Sequence, residues 1–370
     1  MNKELIENSL KSASLRVLEN HKCFGLTFPC DQTKDYVYTV WNGTSWTEGF
    51  WTGMNMLAYE YTRNGKFTDL ADCHIDYFKN RLYKRIAVEK HDLGFLYTLS
   101  CVAKYKVDGD TKARDIAIDA ANLLIQRYRE KGEFIQAWGA IDNPLQYRLI
   151  IDCMMNIPLL FWASDETGDN KYRTIAQKHL NTTLKTAIRS DYTTHHTYFF
   201  DPETGAPVYG KTAQGYSDDS CWARGQAWAV YGLALAYRYT KDEKLEEIFN
   251  RVTDVFIDRL PGDYVPYWDM VFGDGSGQER DTSAAAVAIC GILEMDKYFS
   301  NDRYMEAAEN MLTALASKYD ISSKEGVNGI LSEGMYSKPA GNKPEANVWG
   351  DYFYMEALMR VYNPDWKIYW

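Results

Sequence analysis

Hydrophobic and polar positions alternate with a helical period along most of this 370-residue chain. Apolar residues recur three and four positions apart, a spacing that places them on one face of a helix. The pattern predicts twelve helices, ten in the body of the chain and one near each end. Their expected ranges are 4–19, 47–63, 68–86, 92–106, 111–130, 146–166, 170–188, 221–240, 242–258, 281–298, 302–318 and 345–362.

Five short turns join the ten central helices in pairs and share one pattern. Gly, Asp or Asn forms a tight turn, a basic residue follows, and a new helix begins. Gly and Asn suit the left-handed end of a helix, and Asp or Asn caps the next start. The turns are RNGKFTDLA (63–71), VDGDTKARDIA (107–117), TGDNKYRTIA (167–176), TKDEKLEEIF (240–249) and SNDRYMEAA (300–308).

Recurrence of one helical hairpin predicts an all-α repeat architecture. Five hairpins, with a sixth made by the two chain ends, indicate a single-domain (α/α)6 barrel over residues 1–370; an open helical solenoid is the alternative. The short turns share one end, so the long connections meet at the other. Long loops of a compact domain usually carry function, so we expect the active site at the long-loop end. The stretch 196–210 has hairpin character and predicts short strands there.

One carboxylate, Asp152, stands in the otherwise apolar run QYRLIIDCMMNIPLLFW (146–162). A carboxylate in such a run is usually either paired or used in chemistry. If the run is helical, Arg148 lies one turn before Asp152 and Asn156 one turn after it. A buried Arg148–Asp152 ion pair is therefore one interpretation, and a reactive acid is the other. Pro158 removes a backbone hydrogen bond and predicts a bend just beyond the aspartate.

A second acid, Asp92, begins a helix in EKHDLGFLYT, directly after His91. A helix N-cap is the simplest interpretation of this aspartate. The helices that contain Asp92 and Asp152 should be neighbours in the inner ring of the barrel, so both acids could face one central pocket. Two carboxylates in different environments are suited to acid–base chemistry on a sugar.

Tryptophans surround a third candidate group near residue 224. Arg224 lies close to a helix start, with Trp222 before it and Trp228 one turn after it. A guanidinium between indoles suits a carboxylated sugar, although the same arrangement also stabilises a helix without any ligand. Trp46 and Trp138 lie at loop ends, where an indole either stacks on a sugar or packs in the core.

Composition and charge narrow the classes of function. The chain contains 28 Tyr, 15 Phe and 11 Trp, which suits both a helical core and sugar binding. The net charge of −10 argues against a nucleic-acid partner. Seven scattered cysteines without CxxC spacing, and an N-terminus without an apolar signal region, predict a cytoplasmic protein. No run approaches 18 apolar residues, so we expect no membrane span.

Motifs for metals and common cofactors are missing from the sequence. His195 and His196 form a pair, but no HExxH motif or Cys/His cluster accompanies them, so we predict no metal site. The chain has no GxGxxG in a strand–helix context, no P-loop and no GxSxG elbow. These absences argue against a dinucleotide cofactor, nucleotide binding and a serine hydrolase. We therefore expect no cofactor.

Three stretches together resemble the bacterial unsaturated glucuronyl hydrolases, glycoside hydrolase family 88. They are HDLGF (91–95), LIIDCMMNIPLL (149–160) and DDSCWARGQAWAVYG (218–232). The resemblance covers essentially the whole chain and implies an (α/α)6 barrel. It also implies a substrate left by polysaccharide lyases, namely an oligosaccharide that ends in a uronate with a C4=C5 double bond. The expected partner is thus a small anionic oligosaccharide, and we expect a monomer or weak homo-oligomer.

The resemblance also assigns roles to individual residues. Asp152 corresponds to the catalytic acid/base and Asp92 to the second essential aspartate. Ser337 and Lys338 lie where some members of the family contact a sulfate on the amino sugar. Positions implied to line the uronate site are Trp46, His91, Trp138, His196, Thr212, Gln214, Trp222, Arg224 and Trp228.

The implied chemistry is hydration of the double bond, with Asp152 delivering a proton to C4. This requires a raised pKa at Asp152, through burial and a nearby carboxylate, whereas pairing with Arg148 would lower the pKa. We therefore predict that Arg148 points elsewhere. Unsaturated rhamnogalacturonyl hydrolases share the barrel and both aspartates and are the nearest alternative. A sugar epimerase that uses His91 and His196 as bases, and a non-catalytic carbohydrate-binding barrel, are the others.

Overall fold

The computed structural model describes residues 2–370, most of which are helical. The α-helices are, in chain order, α1 Lys3–Phe24, α2 Glu48–Thr62, α3 Lys66–Tyr83, α4 Leu93–Tyr97, α5 Ala103–Asp108, α6 Thr111–Ile125, α7 Cys153–Asn156, α8 Pro158–Thr167, α9 Asn170–Thr186, α10 Ala223–Thr240, α11 Lys244–Asp258, α12 Thr282–Met295, α13 Asp302–Ala314 and α14 Val348–Tyr362. A π-helical turn at Thr98–Val102 joins α4 to α5, and another at Leu315–Tyr319 extends α13.

Six inner helices form a closed ring. In order around the ring they are α2, α4, α7, α10, α12 and α14, and α14 contacts α2 again. Helices α1, α3, α6, α9, α11 and α13 pack outside them. Every residue of α10 from Ala223 to Tyr237 is buried, as expected for a helix that is surrounded by others. The predicted (α/α)6 barrel is confirmed, and the open solenoid is wrong because α14 and α2 close the ring.

Short strands occupy the long connections at one end of the barrel. They are β1 Phe28–Pro29, β2 Val40–Trp41, β3 Tyr128–Arg129, β4 Phe134–Ile135, β5 Arg148–Ile150, β6 Thr197–Phe200 and β7 Pro207–Lys211. The predicted hairpin is present as β6 and β7, which pair antiparallel. The helix predicted for 111–130 ends at Ile125, because β3 begins soon afterwards and pairs with β4.

The prediction of one helix over 146–166 is wrong in its first part. Strand β5 occupies Arg148–Ile150 and pairs with β6, so hydrogen bonds to a distant strand replace those of a local helix. Asp152 is consequently the N-cap residue of α7 rather than a mid-helix residue. The helix is interrupted at the position where Pro158 predicted a bend, since α7 ends at Asn156 and α8 begins at Pro158.

A single cluster of buried hydrophobic side chains extends from Ile6 to Trp370. The aromatic ring of Trp370 stacks on Phe353 inside the ring of inner helices, with ring centroids 5.9 Å apart. Side chains thus fill this part of the interior of the barrel. Within residues 2–370, no helix combines the length and the apolar character that crossing a membrane requires.

Candidate active site

A cavity of about 340 Å³ lies at the long-loop end of the barrel. Its walls come from the long connections and from the first residues of the inner helices. Ten residues line it, and eight of them are positions that the sequence predicted. The ten are Trp46, Lys90, His91, Asp92, Trp138, Asp152, Gln214, Trp222, Arg224 and Tyr336. The expectation that the candidate site lies at this end is therefore consistent with the geometry.

Asp152 combines surroundings of low polarity with access to the cavity. Its side chain is partly exposed to the cavity, and its Oδ1 atom has no hydrogen-bond partner among the described residues. Burial and, to a smaller extent, the negative charge of Asp92 together raise the pKa of Asp152 to about 7, whereas the charge of Arg224 opposes both. A carboxyl group with this pKa exchanges its proton near neutral pH, as a general acid or base must.

Asp92 lies at the start of α4 but does not cap it with its side chain. Its Oδ1 atom lies 3.5 Å from Nε2 of His91, which is buried. Burial lowers the pKa of His91, so this histidine is a neutral neighbour of Asp92 near pH 7. Asp92 therefore occupies the N-cap position, as the simplest interpretation predicted, but its carboxylate lines the cavity and makes no capping hydrogen bond.

Hydrogen bonds of the Asn156 side chain and the close approach of Gly94 hold α4 against α7. The backbone N–H of Phe95 donates to Oδ1 of Asn156 (2.9 Å), and Nδ2 of Asn156 donates to the backbone carbonyl of Asp152 (3.0 Å). Gly94 lets the two backbones approach, since a Cβ atom there would lie 2.3 Å from Cα of Asn156. The glycine of the HDLGF stretch thus has a physical role, which is to bring Asp92 and Asp152 close together.

Replacement of Gly94 by alanine should therefore separate the two acids. The added methyl group meets backbone atoms, which cannot rotate away, so we expect a loss of about 1–3 kcal/mol in the free energy of unfolding. We also expect a decrease in kcat/KM, because the distance between Asp92 and Asp152 must grow. Urea unfolding and steady-state kinetics measure the two effects.

Gly65→Ala is the matched control for Gly94→Ala, because a Cβ atom at Gly65 has no neighbour within 4 Å and the residue has an ordinary φ of −59°. That control should behave like the wild-type protein. Wild-type stability and kcat/KM in Gly94→Ala would show that the close approach is not needed.

Arg224 is buried, and both of its Nη atoms donate to protein groups. Its side chain is 2% exposed, and that of its ion-pair partner Asp281 is 0% exposed. The acceptors of its Nη donors are Oδ2 of Asp281 (2.7 Å), Oε1 of Gln214 (2.6 Å) and the backbone carbonyls of Met335 and Tyr336 (the latter at 2.7 Å). The guanidinium carbon lies 4.4 Å from the ring of Trp222 and 5.1 Å from that of Trp349. Arg224 thus contributes a rigid wall to the cavity.

His196 lies behind the wall of the cavity and orders the loop that carries Gln214. Its Nδ1 atom accepts from the backbone N–H groups of Ala213 (3.0 Å) and Gln214 (3.2 Å), and its ring lies 4.4 Å from that of Trp222. Burial lowers the pKa of His196 to about 3, so the ring is neutral. Thr212, in the same loop, accepts the N–H of Gly215 at its hydroxyl oxygen (2.8 Å). Neither His196 nor Thr212 lines the cavity.

Three further predicted contact residues lie outside the cavity wall. Trp228 is fully buried between Phe95 and Phe353, so direct stacking on a ligand is corrected to packing beneath the cavity. Ser337 is buried, and Lys338 forms an ion pair with Glu279. A role for Ser337 and Lys338 in sulfate binding stays a prediction. Both residues lie just after Tyr336, which lines the cavity, but neither lines the cavity itself.

Arg148 is directed away from Asp152, as predicted. Its Nη2 atom donates to Oε1 of Gln146 (2.8 Å), and its guanidinium lies 4.6 Å from the ring of Trp138 and 5.1 Å from that of Phe199. Within the described part of the chain, Arg148 forms no ion pair with a carboxylate. The arginine therefore braces Trp138 and leaves the pKa of Asp152 high.

Two residues of the cavity wall were missed by the sequence analysis. Lys90 directly precedes His91 and belongs to the same stretch, and Tyr336 directly precedes Ser337. The Tyr336 hydroxyl accepts a hydrogen bond from Nε1 of Trp46 (3.2 Å) and so fixes one indole of the wall. In residues 2–370, no group of three or more His, Cys, Asp or Glu side chains is arranged to hold a metal ion.

Comparisons with known proteins agree with this geometry. A family model described as Glycosyl Hydrolase Family 88 matches residues 27–364. The unsaturated chondroitin disaccharide hydrolase of Streptococcus pneumoniae is 49% identical over 363 residues, which cover 96% of this chain and 91% of that protein. The unsaturated glucuronyl hydrolase of Bacillus sp. (strain GL1) is 39% identical over 349 residues, with coverage of 92% and 93%.

Solved structures are similar over the same extent. The crystal structure of unsaturated glucuronyl hydrolase from Streptococcus agalactiae has a TM-score of 0.97 at 46% identity, and the match covers 100% of this chain and 94% of that one. A variant of that enzyme in complex with dGlcA-GalNAc6S has a TM-score of 0.89 at 43% identity, with the same coverage. Because the family model and these relatives span nearly the whole chain, the chain is a glycosidase that belongs to glycoside hydrolase family 88.

Proposed function

We propose that this glycosidase releases the Δ4,5-unsaturated uronic acid from the non-reducing end of lyase-generated glycosaminoglycan oligosaccharides of the hyaluronan or chondroitin type. The observation that carries the proposal is Asp152, an acid with a pKa of about 7 beside Asp92 in a tryptophan-lined cavity. Relatives named for unsaturated chondroitin disaccharides and for unsaturated glucuronyl groups support the substrate class. The complex of one relative with dGlcA-GalNAc6S supports it as well.

The reaction begins with proton transfer from Asp152 to C4 of the vinyl ether. Positive charge then develops at C5 and the ring oxygen, where the carboxylate of Asp92 stabilises it. Water adds to C5 and returns a proton to Asp152, which restores the acid. The resulting hemiketal opens by breaking the bond between C5 and the ring oxygen, and the hemiacetal at C1 then releases the leaving sugar. The net change is the addition of one water molecule.

The direct test follows the ultraviolet absorbance of the conjugated double bond and carboxylate. Purified protein is mixed with an unsaturated chondroitin or hyaluronan disaccharide, and we expect the absorbance to fall while free amino sugar appears. Turnover of unsaturated rhamnogalacturonan fragments instead would establish the nearest alternative. Absence of turnover on these substrates and on unsaturated heparin and gellan fragments would refute the proposed reaction.

The pH dependence should report the protonation state of Asp152. The acid must be protonated to act on C4, and its pKa is about 7, so kcat/KM should fall as pH rises above about 7. Replacement of Asp92 by Asn removes one cause of the raised pKa, so in that variant the residual activity should begin to fall at lower pH. A pH profile of kcat/KM for both proteins tests the assignment, and a profile that stays flat up to about pH 9 would contradict it.

We also propose that the protein acts in the cytoplasm. All seven cysteines are free, which is typical of proteins in reducing compartments. Fractionation of the source cells, with activity on the unsaturated disaccharide as the marker, tests the location.

The partner we propose is a small saccharide rather than a nucleic acid. The net charge of −10 supports this proposal.

A further inference from the structure

The proposed substrate is anionic, yet the best-placed cation of the cavity is already neutralised. Asp281 pairs with Arg224, and three further protein oxygens accept from the same guanidinium. A carboxylate of the substrate would therefore meet a guanidinium whose Nη donors are occupied. The charge of the substrate requires another partner, because an unpaired anion in a cavity is costly.

Two other cations lie close to the cavity but outside its lining. Arg148 stacks on Trp138 and donates from Nη2 to Gln146, although its Nε atom is buried without an acceptor among the described residues. Lys338 pairs with Glu279. Neither residue is among those that line the cavity.

Lys90 is different, since it lines the cavity and has no partner in the described residues. Its ammonium group forms neither a hydrogen bond nor an ion pair there. The neighbouring carboxylates are committed elsewhere: Glu48 pairs with buried Arg81 and accepts the N–H of Ser45 (2.8 Å), and Asp31 accepts from Thr47 (2.6 Å). The third neighbour, Asp92, is the acid that faces the cavity.

Burial works against the charge of Lys90 in the unliganded protein. Burial lowers the pKa of the lysine and Arg81 adds to this effect, while the charges of Asp92, Glu48 and Asp31 oppose it. A half-buried ammonium group without a hydrogen-bond acceptor carries a desolvation cost that an anionic ligand would offset. The lysine lies two residues before Asp92, so such a ligand would lie beside the reacting acids.

We propose that Lys90 is the cation that binds the anionic group of the saccharide, a carboxylate or a sulfate ester, while Arg224 acts as a fixed wall. The inference rests on the proposed function for the identity of the saccharide. It makes Lys90 a specificity-determining residue, because Lys90 lines the cavity and has no partner among the described residues, whereas the Nη donors of Arg224 are occupied. A neutral sugar would leave its ammonium group unpaired.

The test measures binding separately from turnover. In an Asp152→Asn background, which prevents conversion, calorimetry gives the Kd of the unsaturated chondroitin disaccharide with and without Lys90→Gln. Loss of one charge-assisted contact should weaken binding by about 10- to 100-fold. Lys90→Arg should retain most of the affinity. Lys90→Met, which keeps the aliphatic stem, should behave like Lys90→Gln.

Lys84→Gln is the matched control, because Lys84 is an exposed lysine shortly before the same loop and should leave Kd unchanged. Three ligands distinguish the source of the anion: the unsulfated disaccharide, its carboxyl methyl ester and the 6-sulfated disaccharide. If Lys90→Gln weakens the binding of the unsulfated and the 6-sulfated disaccharide but not that of the methyl ester, the anionic group is the carboxylate. A loss confined to the sulfated ligand identifies the sulfate.

Equal Kd values for the Lys90 variants and their parent, with every ligand, would overturn the assignment. A lower kcat of Lys90→Gln in the otherwise wild-type protein, with an unchanged Kd in the Asp152→Asn background, would overturn it as well, since Lys90 would then act only on the charge of Asp92. Turnover by the wild-type protein is a separate readout. A protein that binds through Lys90 but never consumes the double bond would refute the proposed reaction and leave the assignment of Lys90 standing.

Discussion

Replacement of Asp152 by asparagine should reduce kcat by about 10³-fold without unfolding the protein. The amide cannot supply the proton that C4 requires and cannot take one back from water. It is nearly isosteric with the carboxyl group, so the shape of the cavity and the affinity for the disaccharide should persist. Loss of the ultraviolet absorbance of the substrate measures kcat, and calorimetry measures the affinity.

The stability of Asp152→Asn provides an independent check. The pKa of Asp152 is raised from 3.8 to about 7 in the folded protein, so the folded state holds this proton more tightly than the unfolded state. Wild-type stability should therefore lose a contribution as pH rises from about 4 to about 7, because the buried group must ionise. The asparagine variant lacks this loss, so above about pH 7 its melting temperature should equal or exceed that of the wild type.

Asp142→Asn is the matched control, since Asp142 is an exposed aspartate in the connection that precedes β5. It should leave both kcat and melting temperature unchanged. Near-normal turnover in Asp152→Asn would show that another group donates the proton. A melting temperature that drops at every pH would instead assign Asp152 a purely structural role.

The barrel could be predicted because its information is local and repeated. Apolar spacing marks each helix, and the five turns mark five of the six hairpins, so the order of the helices followed from the chain alone. The start of the third inner helix, α7, could not be predicted in this way. Whether Arg148–Ile150 becomes helix or strand depends on β6, which lies nearly fifty residues away and supplies the competing hydrogen bonds.

For the candidate site, too, some features could be predicted from the sequence and others could not. Asp92 and Asp152 each precede an inner helix, so their meeting follows from the barrel plan once the helices are placed. The state of Arg224 does not follow, because its partner Asp281 is 57 positions further along the chain and belongs to α12 as its N-cap. Lys90 was missed for a related reason. A lysine in a loop is usually solvated, and only the assembled cavity shows that this one has no partner.

Replacement of Arg224 by alanine should destabilise the protein severely, by about 3–5 kcal/mol in the free energy of unfolding. The mutation leaves the carboxylate of Asp281 buried and without its counter-charge. Asp281 also accepts from the backbone N–H groups of Ser283 and Met335 (3.2 Å each), so the strain reaches both α12 and the loop that carries Tyr336. Urea unfolding measures the loss, and a large effect on soluble yield should accompany it.

A double variant separates this structural role of Arg224 from a role in substrate binding. Arg224→Met with Asp281→Asn removes both charges and retains much of the volume, so it should recover a large part of the stability that Arg224→Ala loses. If Arg224 mainly bound substrate, Arg224→Ala would keep wild-type stability and raise only KM. The saturated donors, the 2% exposure of Arg224 and the 0% exposure of Asp281 favour the first outcome. The charge of the substrate would then be met by Lys90, which lines the same cavity.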